Sequence, residues 1–250
     1  MVVLSRKKIE RLGDVETINA LINANVSRTQ QECQTEVQLL DSSLRLFAEG
    51  FDLCSPNNEE NEQRIARMGL VSQNFNSLAA AVKIAEFGFY LQSLGLLKNV
   101  YENWLAFWYL AKFPREAKKW LIPQKHGKPP KAERMRNEID HPSIETKLKV
   151  KQFYSELNKF AHTDPIAVLD RFVQGNKGPG IKVGVEFRKN NFEACAYALL
   201  LWIGNMNDAI SSWISPQDDW HKKNSLQMTK IVDYLDIFNK KYESTTNVNK

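Results

Sequence analysis

The run Phe192-Glu193-Ala194-Cys195-Ala196-Tyr197-Ala198-Leu199-Leu200-Leu201-Trp202-Ile203-Gly204-Asn205-Met206-Asn207-Asp208-Ala209-Ile210 decides the fold class. Phe192, Cys195, Ala196, Leu199, Leu200, Ile203, Met206, Ile210 and then Trp213 recur three and four residues apart, the period of one helix face. The unbroken apolar stretch inside it, Ala194 to Gly204, is 11 residues long and ends at Asn205 and Asp208. A membrane span needs about 20 apolar residues. The run therefore predicts a buried, central helix, and no membrane partner is expected.

The same period extends outward in both directions. Val37, Leu40, Leu44, Phe47 and Phe51 line one helix face, and Cys54-Ser55-Pro56-Asn57-Asn58 breaks it, with Asn57 or Asn58 as the next cap. Ile65, Met68, Val71, Phe75, Leu78, Val82 and Ala85 predict a long helix ending near Gly88. Leu94, Leu97, Tyr101, Trp104, Leu105 and Trp108 predict another, ending before Pro114. Ile144, Leu148, Phe153, Leu157 and Phe160 predict a helix stopped before Pro165, and Ile231, Leu235, Phe238 and Tyr242 a last amphipathic one. One segment departs from the pattern. Ile181, Val183, Val185 and Phe187 alternate with polar residues and glycine, which is a strand period, and the turn-rich 175–180 precedes them. The expectation is an all-α protein with a small β-hairpin inserted at about 168–188. Residues 1–55 would be N-terminal helices packing on the core, 56–215 the main helical domain, and 216–250 a C-terminal helix with a frayed tail.

With 43% hydrophobic residues, the 250-residue chain can fill one large core or two small ones. Met1 to Lys8 is too short an apolar run for a signal peptide. Cys33, Cys54 and Cys195 lie far apart with no CxxC, which argues against a disulfide framework or zinc ribbon and for the cytoplasm. The net charge of +5 is unevenly placed. Residues 112–136 hold nine basic and two acidic residues, net +7, which leaves −2 for the remainder. Such a segment attracts polyanions. Lys118, Lys119, Trp120, Lys125, Lys128, Lys131 and Arg134 are its candidate nucleic-acid contacts, with RNA the expected partner. Trp120 is the tryptophan placed among lysines, where an indole can stack on a base. The plain alternative is a solvated lysine-rich loop that aids solubility.

The basic segment runs into Arg136, Asn137 and His141. An arginine and a histidine together can cleave RNA without a metal: the guanidinium fork holds phosphate oxygens and the imidazole moves a proton. Positions five apart on a continuous helix point about 140° away from each other. His141 precedes Pro142, which pushes it out of helical geometry, so the helix should end near Asp140 and let His141 swing back. A second candidate set is Lys98, Glu102, Asn158 and His162, in which each i,i+4 pair shares a helix face. Its plain alternative is a polar network locking two helices together. Glu138, Asp140, His141, His162 and Asp164 could hold a metal, but the Glu-x-x-His spacing occurs once where di-iron bundles need it twice. No metal and no cofactor is expected. Glycine-rich phosphate loops, nucleophile elbows and HExxH are absent from the sequence.

The arginine-polar-x3-histidine motif in a helical chain resembles the HEPN superfamily of small helical domains found in toxins, phage-defence proteins and RNA-processing proteins. Three further blocks resemble a HEPN-like group of uncharacterised bacterial proteins: Leu96 to Glu102, Tyr109 to Ala117, and Tyr154 to His162. The likeness spans about Glu60 to Ile214. It implies a HEPN-like helical bundle and, by analogy with active members, a metal-independent ribonuclease whose site forms between two protomers. Arg136, Asn137 and His141 would then be catalytic, and a homodimer is expected. The group's recurring histidine corresponds to His162, and Lys98 stands where an arginine is expected, so both histidines stay open. Two functions follow as expectations: a ribonuclease-type effector of the defence or toxin kind, or a non-catalytic helical module that dimerises or holds a partner or nucleic acid.

Overall fold

The computed structural model of the chain describes residues 15–55, 59–139, 151–152, 155, 172–175, 178–181 and 187–246. The described residues are helical apart from short connections and two four-residue strands. The helices are α1 (Val15–Glu32), α2 (Gln34–Leu53), α3 (Asn61–Glu86), α4 (Tyr90–Lys112), a 3-10 turn (Pro114–Glu116), α5 (Ala117–Leu121), α6 (Pro123–His126), α7 (Ala132–Glu138), α8 (Lys189–Ser211) and α9 (Trp220–Thr246).

α8 is the central helix, as its sequence predicts. Fourteen of its 23 residues are buried, more than one face can account for, so neighbours must cover it on several sides. α2, α3, α4 and α9 do so. α3 and α4 form an antiparallel hairpin closed by Gly88 at φ 90, a left-handed turn that glycine adopts without strain. Its register is pinned by side chains reaching carbonyls across the pair: Ser93 Oγ to Ala81 O (2.8 Å), Asn74 Nδ2 to Val100 O (3.1 Å) and Gln63 Nε2 to Leu110 O (3.0 Å). Tyr101 meets Trp202 edge-on at 5.6 Å, and Phe107 meets Trp213 at 5.1 Å, so α4 and α8 run parallel. α9 lies antiparallel to α2 through Gln227, whose amide reaches Ser42 and Ser43 (2.8 Å each), and through Trp220, which donates to Leu46 O (2.9 Å). Phe47, Trp220 and Leu199 belong to one continuous core.

Several local expectations change. The α3 cap is Glu60, not Asn57 or Asn58, and it makes no side-chain cap bond; residues 56–58 lie outside the described set. Ile65, expected on the core face, is 50% exposed, while Gln63, Arg67 and Asn74 take core positions. α9 begins at Trp220, a full three turns before Ile231. The expected hairpin is not seen at its full length. Phe172–Gly175 pairs antiparallel with Gly178–Ile181, Phe172 opposite Ile181, and the alternating residues 182–186 lie outside the described set. The helix expected over 144–160 lies almost wholly outside it too.

Candidate functional site

The basic segment folds as a chain of short elements hung from the end of α4. Pro114 cannot continue α4 and instead opens the 3-10 turn. Ala117 is fully buried, and Trp120 packs on the core with its ring 6.3 Å from that of Tyr109. These two residues glue α5 down by one side. Pro123 disfavours helical geometry at Ile122, which sits at φ −136, ψ 68, so α5 stops at Leu121 and α6 starts with proline in its first turn. Gly127 closes α6 at φ 86. Lys131 is extended, and α7 then packs against α4 through Met135 and Ile139, both nearly fully buried.

This construction turns most of the cations outward. Lys112, Arg115, Lys118, Lys125, Lys128, Lys131 and Arg134 are exposed. Lys119 is half-buried and binds Glu116 at 2.6 Å, and Lys118 lies 3.8 Å from Glu62. Arg115, Lys125, Lys128, Lys131 and Arg134 make no ion pair among the described residues. Of the expected nucleic-acid contacts, six therefore present cationic side chains at the surface or partly so. The seventh, Trp120, keeps part of its ring against Tyr109.

The expected catalytic residues divide. Arg136 and Asn137 are successive positions in the last turn of α7, about 100° apart around the helix. Arg136 shares the buried side with Met135 and Ile139 at 7% exposure and is engaged by other groups, whereas Asn137 is exposed. α7 ends at Glu138, two residues short of the expected Asp140. Ile139 leaves the helix at φ −76, ψ 152, its amide donating to Met135 O at 3.0 Å. His141 and Asp140 lie outside the described residues. In the second set, Lys98 and Glu102 sit half-buried one turn apart on α4, both engaged by other groups, and Asn158 and His162 lie outside the described residues. No three His, Cys, Asp or Glu side chains converge among the described residues; Asp140, His141, His162 and Asp164 are not among them. No described helix is long and apolar enough to cross a membrane.

Burial keeps the three thiols protonated at neutral pH. Cys33 is pushed up to about 11, and Cys54 and Cys195 to about 12, values that suit core side chains rather than nucleophiles.

Sequence reading missed one charged constellation. Arg67 is 4% exposed, with its guanidinium 3.9 Å from the centre of the Phe107 ring and 4.8 Å from that of Trp213. It pairs with Glu59, whose Oε1 also accepts from Trp213 Nε1 at 3.0 Å. Ser55 N donates to Trp213 O at 2.9 Å, so the α2–α3 connection, α3, α4 and the end of α8 are joined at one point. Burial lowers the Arg67 pKa to about 10, still charged at neutral pH. Glu59 Oε2 and Arg67 Nε have no hydrogen-bond partner among the described residues. The available signal was phase: Gln63, Arg67, Leu70 and Asn74 recur at helix spacing with Leu78. Aromatic faces on both sides and a carboxylate filling one edge make this a clasp between elements.

No protein family, curated protein or solved structure matches the chain.

Proposed function

We propose that the chain is a helical docking module for polyanions that works through the outward-facing cations of residues 112–134. The observation that carries this reading is the set of five cations without an ion pair among the described residues, Arg115, Lys125, Lys128, Lys131 and Arg134, in a segment that Ala117, Trp120, Met135 and Ile139 anchor to the core. Clustered cations that are not held in ion pairs, and that outnumber the segment's two acids, Glu116 and Glu133, leave their field available to a ligand. The test is retention on immobilised heparin beside a variant with Lys125, Lys128 and Lys131 changed to Gln. The reading expects the native chain to elute at clearly higher salt. Equal elution of the two would refute it.

A second reading is that of a HEPN-like ribonuclease, in which Arg136, Asn137 and His141 cleave RNA by 2′-hydroxyl attack on the adjacent phosphate. It is favoured by the end of α7 at Ile139, two residues ahead of His141, which removes the helical constraint that would hold Arg136 and His141 apart. Arg136 would stabilise the phosphorane and His141 would shuttle the proton. Mapping 5′-hydroxyl RNA ends in cells expressing the native chain or His141→Ala tests it. Identical end maps would exclude the cleavage reading and leave the docking module.

A further inference from the structure

Within the docking segment, residues 117–132 contain five lysines, no arginine and no acid. At its centre stand two adjacent exposed aliphatic side chains, Leu121 at 38% and Ile122 at 49%. Their exposure follows from the local fold. Ala117 and Trp120 hold α5 to the core, and the proline at 123 breaks the helix so that Leu121 and Ile122 form an outward corner. Exposed Lys118 precedes the corner, and Lys125 and Lys128 follow it. We propose that this corner docks the chain on an anionic phospholipid bilayer, the aliphatic pair entering the interface and the lysines lying among the headgroups. The proposal rests on the polyanion reading above and names its partner.

Two features favour a bilayer over RNA. Phosphate recognition in a folded nucleic acid favours the planar fork of arginine, and the docking set's two arginines, Arg115 and Arg134, lie outside the corner segment; the lysines around the corner are compact, hydrated point charges suited to a diffuse layer of headgroups. Exposed leucine and isoleucine gain nothing from a phosphodiester groove but gain from leaving water for the acyl boundary. The absence of a spanning helix among the described residues does not bear on surface docking.

The experiment is co-sedimentation with vesicles of phosphatidylcholine alone or with about 30% phosphatidylserine. The native chain should pellet with the anionic vesicles only. The double variant Leu121→Ser, Ile122→Ser should bind them about tenfold more weakly or worse, while its heparin elution stays unchanged. Each of Lys125→Gln and Lys128→Gln should weaken vesicle binding by about fivefold. All four positions are exposed, and an unchanged helical circular dichroism spectrum establishes that the variants fold. Undiminished vesicle binding by the serine variant overturns the proposal. So does heparin or RNA binding with no vesicle binding, which leaves the polyanion reading standing. Failure to bind heparin and vesicles alike removes both.

Discussion

Salt dependence gives the sharpest measure of the docking surface. Each cation that neutralises a phosphate of a single strand releases counterion and adds about −0.7 to the slope of log K against log salt. Five cations on 115–134 make no ion pair among the described residues, so each can meet a phosphate without first leaving a carboxylate. Lys119 is held by Glu116 at 2.6 Å and adds little. Five contacts give a slope of about −3.5 for a single-stranded RNA probe, or about a hundredfold loss of affinity between about 0.05 and 0.2 M salt. Changing Lys125, Lys128 and Lys131 together to Gln removes three and should flatten the slope to about −1.4. Fluorescence anisotropy of a labelled oligonucleotide across a salt series reads both values. The reasoning also demands that Leu121→Ser, Ile122→Ser leave the RNA slope unchanged, because neither side chain carries charge. A native slope near zero, or a triple variant with the native slope, would place the binding elsewhere.

Arg67→Ala leaves the largely buried Glu59 carboxylate without its counterion, at a cost of about 3–5 kcal/mol, whereas Arg67→Met with Glu59→Gln should cost much less. Urea unfolding of the two variants measures both, and equal losses would show that packing rather than charge pairing matters there. Gly50→Ala should also destabilise. A β-carbon at Gly50 would lie 2.6 Å from Trp220 Nε1 of a fully buried indole, and overpacking of about 1–3 kcal/mol outweighs the roughly 1 kcal/mol gained in helix propensity; a raised melting temperature would contradict this. The thiols set an alkaline trend. Their folded pKa values are raised, so the unfolded chain loses these protons first. Their stabilising contribution is complete below about pH 9 and is lost as pH climbs toward 11 and 12. By pH 10 a deeply buried thiol such as Cys195 costs on the order of 1 kcal/mol relative to neutral pH. Cys195→Ala should therefore show a shallower decline in unfolding free energy between pH 8 and pH 10, and parallel curves would argue against it.

The fold was legible where apolar residues alone carry the helix period. α8 is such a case: Phe192, Cys195, Leu199, Ile203, Met206 and Ile210 are all buried. α3 shows the limit. Its core face includes Gln63, Arg67 and Asn74, whose burial depends on partners from α4, α8 and the α2–α3 connection that no local pattern announces. A hydrophobicity pattern passes over such residues and draws Ile65 inward, and Ile65 is 50% exposed. The start of α9 was hidden for a related reason. Trp220 packs over Gly50, and the next apolar residue of that helix, Leu226, faces solvent. At the candidate site the charge count of 112–136 was readable at once, but not its division into exposed cations, the Glu116-bound Lys119 and the buried Arg136. That division depends on which side of α5 faces α3 and which side of α7 faces α4.

The burial of Arg136 shapes how the two functional readings relate. A guanidinium at 7% exposure, engaged by other groups, is removed from the diffuse field of its exposed neighbours. It cannot serve as one more docking cation. It can act on a phosphate only if the phosphate reaches the α7–α4 junction and displaces what now holds it, a cost that simple surface binding never meets. Docking and cleavage thus make opposite demands on this residue. A docking module needs Arg136 only to secure α7, and Arg136→Met should preserve heparin and vesicle binding so long as the helix stays in place. A ribonuclease needs the charge itself, and the same substitution should abolish cleavage while docking persists. Because the exposed lysines lie on α5, α6 and the connection before α7, while the buried arginine lies on the core side of α7, the two roles can be separated by mutation within one segment of chain.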